Sequence, residues 1–348
     1  MKRITKASEL AEAGLIPADR VDALHRVASR FAIALTPAVH GRIDPADPAD
    51  PIARQFVPST AELDVAPDEL EDPIGDAAYT PLKGVTHRYP DRVLLKPSHA
   101  CPVYCRFCFR REAVGPGGES LSPAELAAAL DYIARDARIW EVILSGGDPL
   151  ILSPRRLGEI VRRLDSIPHV GVIRIHTRVP AVEPERVTPA LVAALRARKA
   201  VWVVLHANHA RELDARTREA VARLVDAGVP MLAQTVLLAG VNDDPSALEQ
   251  LFRTLVAMRV KPYYLHHADL APGTAHFRTS IATGQALVRS LRGRVSGLCQ
   301  PSYVLDIPGG AGKVPIGPSY LHESPTGETL VVEDWQGKLH VYPDFEER

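Results

Sequence analysis

The chain is poor in cysteine, in aromatic residues and in net charge. It has four Cys among 348 residues, 5% aromatic residues, and 41 Lys and Arg against 42 Asp and Glu, a formal net charge of −1. Near-neutrality argues against a nucleic-acid-binding surface built on bulk positive charge. The longest apolar runs, such as residues 201–205, are far shorter than the roughly 20 residues of a membrane helix. We therefore expect no nucleic-acid partner and no membrane span.

The beginning of the sequence also lacks the pattern of a secretory signal. Basic residues at Lys2, Arg3 and Lys6 are not followed by an apolar stretch. Three of the four cysteines are clustered, and a disulfide framework is not expected because cytosolic thiols stay reduced. These features predict a cytoplasmic protein.

Residues 1–90 differ in pattern from the rest of the chain. Helical patterns over residues 7–13 and 17–34 are followed by a segment rich in proline and aspartate, residues 44–51. Proline at that density continues neither a helix nor a central strand. We interpret residues 1–90 as a helical and irregular N-terminal extension.

From residue 91 to residue 306, short β-branched runs alternate with longer amphipathic stretches, which is typical of parallel βα units. The predicted strands are Val93–Lys96, Glu141–Leu144, Val172–Ile175, Val201–Leu205, Met231–Val236 and Tyr263–His266. The predicted helices are Pro123–Arg135, Arg155–Leu164, Pro189–Ala197, Asp214–Ala227, Pro245–Met258 and Ala282–Leu291.

Six such units with right-handed crossovers predict an α/β fold, a partial (β/α)6 TIM-like barrel, with an open doubly wound sheet as the alternative. Residues 307–348 then form a short C-terminal β segment, in which Thr329–Val332 and Leu339–Tyr342 are predicted to pair as a hairpin. In either architecture the chemistry collects at the carboxyl ends of the strands.

A cysteine motif follows the first predicted barrel strand: Cys101, Cys105 and Cys108 have the spacing Cx3CxxC. Three thiolates on one tight loop can bind three irons of a cubane and leave the fourth iron open to another ligand. A structural zinc site would require a fourth nearby Cys or His. The spacing therefore favours an iron–sulfur cluster over zinc or a redox pair.

This motif resembles that of the radical S-adenosylmethionine superfamily. The resemblance implies that the three cysteines bind a [4Fe–4S] cluster and that S-adenosylmethionine binds at the open iron. A second element is similar to the superfamily pattern: Gly146, Gly147 and Asp148 end the second predicted strand, where the family has a glycine-rich turn beside the methionine amino group.

A third element narrows the resemblance to the lysine 2,3-aminomutases. The segment from Asp306 to Lys313, Asp-Ile-Pro-Gly-Gly-Ala-Gly-Lys, resembles their pyridoxal-phosphate motif. The resemblance implies that Lys313 forms a Schiff base with pyridoxal 5′-phosphate. It also implies that Arg88, Tyr89 and Arg92 contact the phosphate group of that cofactor.

The same resemblance implies a pocket for an amino acid. Arg110 matches the arginine that pairs with the substrate carboxylate, and Asp269 and Asp306 match the two aspartates that bind the ε-ammonium of lysine. Gln234 matches a residue near the adenosine and the substrate. Paired carboxylates would repel a substrate with a carboxylate side chain. The implied reaction is conversion of L-lysine into β-lysine rather than a glutamate aminomutation, with ornithine left open.

Several points stay open at this level. His176 and His266 resemble the short enzymes that supply β-lysine for elongation factor P modification, yet those enzymes depart from the Asp-x-Pro-Gly-Gly motif kept here, so the pathway is undecided. No Cys follows Cys299, and we expect no structural zinc. We expect a one-electron reductant protein as partner and a homo-oligomer. The alternatives are a radical activase without pyridoxal phosphate and a non-catalytic cluster-binding scaffold.

Overall fold

A nine-stranded sheet forms the centre of the protein. The computed structural model describes residues 2–323 and 330–343. The strands of the sheet are β1 Val85–Tyr89, β2 Arg92–Ser98, β3 Glu141–Gly146, β4 Val172–Thr177, β5 Ala200–His206, β6 Met231–Val236, β7 Val260–His266, β8 Ser302–Ile307 and β9 Gly312–Pro315. They pair in chain order: β2 to β8 are parallel, while β1 and β9 are antiparallel edge strands.

The sheet curves into a nearly closed barrel whose two edge strands meet. The backbone N–H of Lys313 in β9 donates a hydrogen bond of 2.8 Å to the hydroxyl of Tyr89 at the end of β1. All six predicted strands are confirmed. The seventh parallel strand, β8, and both edge strands were not predicted. The six βα units are followed by one further parallel strand.

Eleven α-helices lie among the described residues. They are α1 Ala7–Glu12, α2 Val21–Ala28, α3 Pro37–His40, α4 Pro51–Phe56, α5 Pro123–Arg135, α6 Pro154–Asp165, α7 Val179–Val182, α8 Pro189–Ala194, α9 Ala215–Asp226, α10 Pro245–Ala257 and α11 Ile281–Leu291. The six predicted barrel helices are confirmed with small shifts at their ends. No helix of the described residues is long and apolar enough to cross a membrane.

Four of the six barrel helices begin with a repeated local signal, an oxygen-bearing residue followed by proline. Before α5, the Ser122 hydroxyl accepts a hydrogen bond from the N–H of Glu125, and the Glu125 carboxylate reaches back to Ser122. Proline at the first helical position has the correct φ and no N–H that would be left unpaired. The same signal starts α6, α8 and α10 at Ser153, Thr188 and Asp244.

The N-terminal extension is less helical than predicted. The predicted helix over residues 17–34 is wrong beyond Ala28, where α2 ends. Residues Phe31, Ile33 and Leu35 are instead almost fully buried, and Leu35 pairs with Ile4 through backbone hydrogen bonds. Burying these side chains in the core requires extended chain, which overrides the local helical pattern.

The C-terminal segment forms a separate three-stranded antiparallel sheet, with β10 Leu321–Glu323, β11 Leu330–Glu333 and β12 Leu339–Tyr342. The predicted pairing is present, with Val331 opposite Val341. Position 329 of the predicted hairpin lies outside the described residues. Strand β10 was not predicted.

Strand alternation gives the barrel a polar interior. In β4, Ile173 and Ile175 are fully buried against the outer helices, whereas Arg174 and His176 line an internal cavity. Successive side chains of a strand point to opposite faces, so one strand serves both the core and the cavity. The barrel interior is therefore a functional site rather than a packed core.

Candidate active site

A cavity of about 780 Å³ runs through the barrel. It brings together all the site residues predicted from the sequence, which are Arg88, Tyr89, Arg92, Cys101, Cys105, Cys108, Arg110, Gly146, Gly147, Asp148, Gln234, Asp269, Asp306 and Lys313. The cysteine loop follows β2, the glycine turn ends β3, and Gln234 lies in β6 beside the end of β5. This clustering at the carboxyl ends of parallel strands is the usual position of an active site in a barrel.

The cysteine loop has the donor set for an iron–sulfur cluster. Cys101, Cys105 and Cys108 are free thiols at the cavity wall. Burial, together with the neighbouring Cys105, raises the pKa of Cys108 to about 11, so deprotonation of the thiols requires positive charge such as bound iron. Three thiols on one loop can each bind one iron of a cubane, so the donor set fits a [4Fe–4S] cluster.

Two buried arginines clamp this loop to the N-terminal extension. Arg106 Nε donates to both carboxylate oxygens of Glu62 at 2.9 and 3.0 Å, and Arg111 also pairs with Glu62. The three side chains are at most 1% exposed. Arg111 also stacks on Phe31, 3.5 Å from the ring centroid. Two guanidinium groups and one carboxylate leave a net positive charge behind the thiols, which suits an anionic cluster.

The glycine turn after β3 is explained by close packing against the cysteine loop. Gly147 has no room for a side chain, because a Cβ would lie 2.2 Å from the carbonyl oxygen of Ala100. Gly146 has φ +102°, and a Cβ there would lie 2.7 Å from the carbonyl oxygen of Ser98. These glycines let the turn approach protein backbone, which places the cysteine loop directly over β3.

Asp148 has a structural role that the sequence did not indicate. Its buried carboxylate accepts hydrogen bonds from the Thr177 hydroxyl at 2.7 Å and from the backbone N–H groups of Leu150, Arg178 and Val179. These bonds hold the end of β3 to the end of β4. The carboxylate is saturated by protein donors, so it orients the turn that faces the cavity.

Lys313 projects into the cavity from β9. Its Nζ lies 3.1 Å from Nδ1 of His266 and forms an ion pair with Asp306. Burial opposes ionisation of Asp306, but the neighbouring His266 and the charge of Lys313 hold its pKa at about 2. An accessible amine beside donors and acceptors fits the residue that binds pyridoxal phosphate.

The three residues predicted for the phosphate group lie on the β1–β2 hairpin. Arg92 stacks on the Tyr89 ring at 3.7 Å, and Arg88 pairs with Asp76 at 3.1 Å. Arg88 Nε is buried without a hydrogen-bond partner among the described residues. A donor set of two guanidinium groups and a phenol, one with an unused N–H, fits a phosphate.

Asp76 is a cavity residue that sequence reasoning missed. It lies in the N-terminal extension and pairs with Arg88 and with Arg110, whose Nη2 donates at 2.7 Å to Asp76 Oδ2. Although burial opposes ionisation, the charges of Arg110, Lys96 and Arg88 hold the pKa of Asp76 below its usual value. The predicted carboxylate-binding arginine and a predicted phosphate-binding arginine thus share one carboxylate.

Asp269 differs from every other carboxylate of the cavity. It has no hydrogen-bond or ion-pair partner among the described residues. Burial, and after it the charge of Asp306, raises its pKa to about 7. Two neighbouring half-buried carboxylates, of which one is unpaired, form a site that attracts an ammonium group.

Further cavity residues were not assigned to the site from the sequence, although strand alternation could have indicated them. Five cavity-lining side chains besides Arg88 have a buried nitrogen without a hydrogen-bond partner among the described residues: Arg174 Nε, His176 Nε2, Arg178 Nε, His206 Nε2 and His266 Nε2. Buried polar atoms are normally paired, so each indicates a place where a bound molecule completes the hydrogen bonding.

Comparisons with known proteins agree with this site. The model of the Radical SAM superfamily matches residues 95–252, and the model described as Lysine-2,3-aminomutase matches residues 288–348. The L-lysine 2,3-aminomutase of Acetoanaerobium sticklandii is 39% identical over 98% of this chain and 82% of that protein. That of Clostridium subterminale gives the same identity and coverage. The glutamate 2,3-aminomutase of Clostridioides difficile is 34% identical over 97% of this chain and 79% of that protein.

The similarity to these relatives extends across nearly the whole chain. The protein is accordingly an isomerase whose cofactors are a [4Fe–4S] cluster, S-adenosylmethionine and pyridoxal 5′-phosphate. The chain belongs to the lysine 2,3-aminomutase family of the radical S-adenosylmethionine superfamily.

Proposed function

We propose that the protein converts L-lysine into β-lysine by moving the amino group from the α to the β carbon. The observation that carries this proposal is the charge pattern of the cavity. The cationic Arg110 and the carboxylates of Asp269 and Asp306 line the same cavity, and the charge of Asp306 acts directly on Asp269. An α-amino acid with a cationic tail complements both groups at once.

We assign the site residues as follows. Cys101, Cys105 and Cys108 bind the cluster, and Gly146, Gly147, Asp148 and Gln234 form the wall for S-adenosylmethionine. Lys313, Arg88, Tyr89 and Arg92 bind pyridoxal phosphate, and Arg110, Asp269 and Asp306 bind the amino acid. When bound, the cluster supplies the electron that cleaves S-adenosylmethionine into a hydrogen-abstracting radical, and pyridoxal phosphate supplies the conjugated system that carries the migrating amine.

The protein side chains bind, orient and shield the substrate. Tyr89 accepts the backbone N–H of Lys313 and so fixes the position of its Nζ. Asp306 pairs with Lys313 in this structure, and it is available for a substrate ammonium once Lys313 is covalently bonded to its cofactor. Asp269 needs no such exchange, because its carboxylate has no ion-pair partner among the described residues.

Glutamate is the alternative substrate, since one relative is a glutamate 2,3-aminomutase. A glutamate side chain would place a third carboxylate beside Asp269 and Asp306. The pKa of Asp269, raised by burial and by the charge of Asp306, supports the proposal that this part of the cavity disfavours further negative charge. The cavity therefore selects for a cationic side chain.

Anaerobic turnover with competing amino acids tests the proposal. The reconstituted protein is incubated with S-adenosylmethionine, pyridoxal phosphate, a chemical reductant and lysine, glutamate or ornithine, and β-amino acids are identified by mass spectrometry. We expect β-lysine and no β-glutamate. Lys313→Ala serves as the control, with loss of the cofactor absorption band. Release of 5′-deoxyadenosine without any β-amino acid would refute the substrate assignment, and an unchanged absorption band would refute the assignment of Lys313.

The proposal extends to partners and location. A one-electron reductant protein would serve the cluster, and the thiols of the cysteine loop suit the reducing cytoplasm. The C-terminal sheet exposes the apolar side chains of Leu321, Leu339, Val341 and Tyr342, which supports burial in a homo-oligomer.

A further inference from the structure

The cavity wall beside the cysteine loop contains a buried arginine with no role in the assignments above. Arg178 follows β4, and its Nη1 donates a hydrogen bond of 2.9 Å to the sulfur of Cys105. Within residues 2–323 and 330–343 this is the one side-chain hydrogen bond to any of the three clustered cysteines. The Arg178 side chain is 6% exposed, so water does not compete for the contact.

A network of acceptors fixes the guanidinium group in this position. Nη2 of Arg178 donates to Glu212 Oε2 at 2.7 Å and to Gln55 Oε1 at 2.6 Å. The other oxygen of Glu212 accepts the backbone N–H groups of Asn208 and His209 at 2.8 and 3.0 Å. Glu212 and Gln55 are themselves buried. The arginine is therefore aimed at the sulfur by groups from the segment after β5 and from the N-terminal extension.

Two aromatic rings shield this contact from water. The guanidinium carbon of Arg178 lies 4.6 Å from the ring centroid of Phe56 and 5.1 Å from that of Phe107. In such an environment a charged hydrogen bond to sulfur is stronger than in water. The effect of the positive charge on a cluster bound at Cys105 is correspondingly large.

We propose that Arg178 is a positioning residue that raises the reduction potential of the cluster through its hydrogen bond to Cys105. One electron passes from an external one-electron donor to the cluster, and no proton is taken up. The added negative charge is stabilised by a fixed N–H donor and a neighbouring cation, since hydrogen bonds to the sulfurs and net charge set cluster potentials. Glu212 acts in the opposite direction, because its carboxylate partly offsets the charge of Arg178.

Potentiometric titration of two variants tests this role without turnover. Arg178→Gln and Glu212→Gln are reconstituted with iron and sulfide and titrated with dithionite, and the reduced cluster is followed by electron paramagnetic resonance. We expect Arg178→Gln to lower the midpoint potential and Glu212→Gln to raise it, each at wild-type iron content. Arg216→Gln, which removes an exposed arginine paired with Glu185 at 3.2 Å, is the matched control and leaves the potential unchanged.

The two variants keep the proposal falsifiable if one of them fails to fold. An unchanged midpoint potential in either folded variant at full iron content would overturn it, because a purely structural ion pair predicts no shift. If Arg178→Gln does not fold, the midpoint potential of Glu212→Gln tests the proposal: an upward shift supports it and an unchanged potential overturns it. No amino acid is present in the titration, so the result is independent of the proposed substrate.

Discussion

Two parts of the active site differ in how their charged side chains are paired. The cluster end is the cysteine loop with the arginines around it, and the amino-acid end is the pair Asp269 and Asp306. At the cluster end, Arg106, Arg111 and Arg178 are buried in ion pairs with Glu62 and Glu212 and are held by further hydrogen bonds. At the amino-acid end, Asp269 has no ion-pair partner in the described part of the chain, and Asp306 is shared between Lys313 and His266. Both carboxylates of the first end are ion-paired, whereas Asp269 of the second end is not.

This difference corresponds to two roles. The ion pairs of the cluster end act as a scaffold that holds the cysteine loop, whereas the carboxylates of the amino-acid end act as a receptor for the substrate. A buried ion pair is costly to assemble, but breaking it leaves an uncompensated charge and is strongly destabilising. Such pairs therefore fix a loop in one geometry. An unpaired buried carboxylate instead lowers the stability of the unliganded protein and is satisfied when an ammonium arrives. Substitutions at the two ends should accordingly have opposite effects on stability.

The largest effect is expected from Glu62→Ala. Removing this carboxylate leaves the buried guanidinium groups of Arg106 and Arg111 without their shared partner, which costs about 3–5 kcal/mol of unfolding free energy. Denaturant unfolding of the apoprotein measures the loss. Glu119→Ala, which breaks the exposed pair with Lys83, is the matched control and should change the free energy by less than about 1 kcal/mol. Equal losses in the two variants would show that the buried clamp is no scaffold.

At the amino-acid end we expect Asp269→Asn to lose activity and gain stability. The folded-state pKa of Asp269, about 7, lies above its ordinary value of 3.8. The free energy of unfolding therefore falls as the pH rises towards 7, and at pH 8 the ionised Asp269 destabilises the folded protein. The neutral amide should stabilise the apoprotein at pH 8 by on the order of 1–3 kcal/mol. The gain should vanish near pH 4, and a destabilised variant at pH 8 would contradict the receptor role.

The same carboxylate should set the pH dependence of lysine binding. Asp269 is neutral below pH 7 and attracts an ammonium group only when ionised. Affinity for lysine, measured by equilibrium binding to the pyridoxal-phosphate-loaded protein without reductant, should rise with pH through an inflection near 7. In Asp269→Asn this inflection should disappear. An inflection that persists there would belong to another group, with Asp306 a poor candidate because its pKa is about 2.

The sequence predicted the parts of this molecule that depend on short-range signals. The six barrel strands and their helices followed from alternating patterns and from caps such as Ser122, and every motif residue lies in one cavity. Strand β8 was missed because the Asp306 motif obscured its pattern. Asp76 could not be predicted, because its role arises from two arginines far along the chain. Arg174 and His176 could have been predicted to face the cavity, since they alternate with Ile173 and Ile175 in a predicted strand.

The smallest effect is expected from Asp76→Asn, which tests whether the carboxylate end of the substrate site belongs to scaffold or receptor. Asp76 accepts both Nε and Nη2 of Arg110, at 3.2 and 2.7 Å, and so orients the guanidinium group. Losing this charge should weaken a hydrogen-bonded pair by about 1–2 kcal/mol and raise KM for lysine roughly tenfold, with kcat little changed. Steady-state kinetics against lysine concentration measures the split. A fall in KM would mean that Asp76 occupies the place of the substrate carboxylate and competes with it. The ion pair between Asp76 and Arg110 would then be one that the substrate replaces on binding, as at Asp306, and not part of the scaffold.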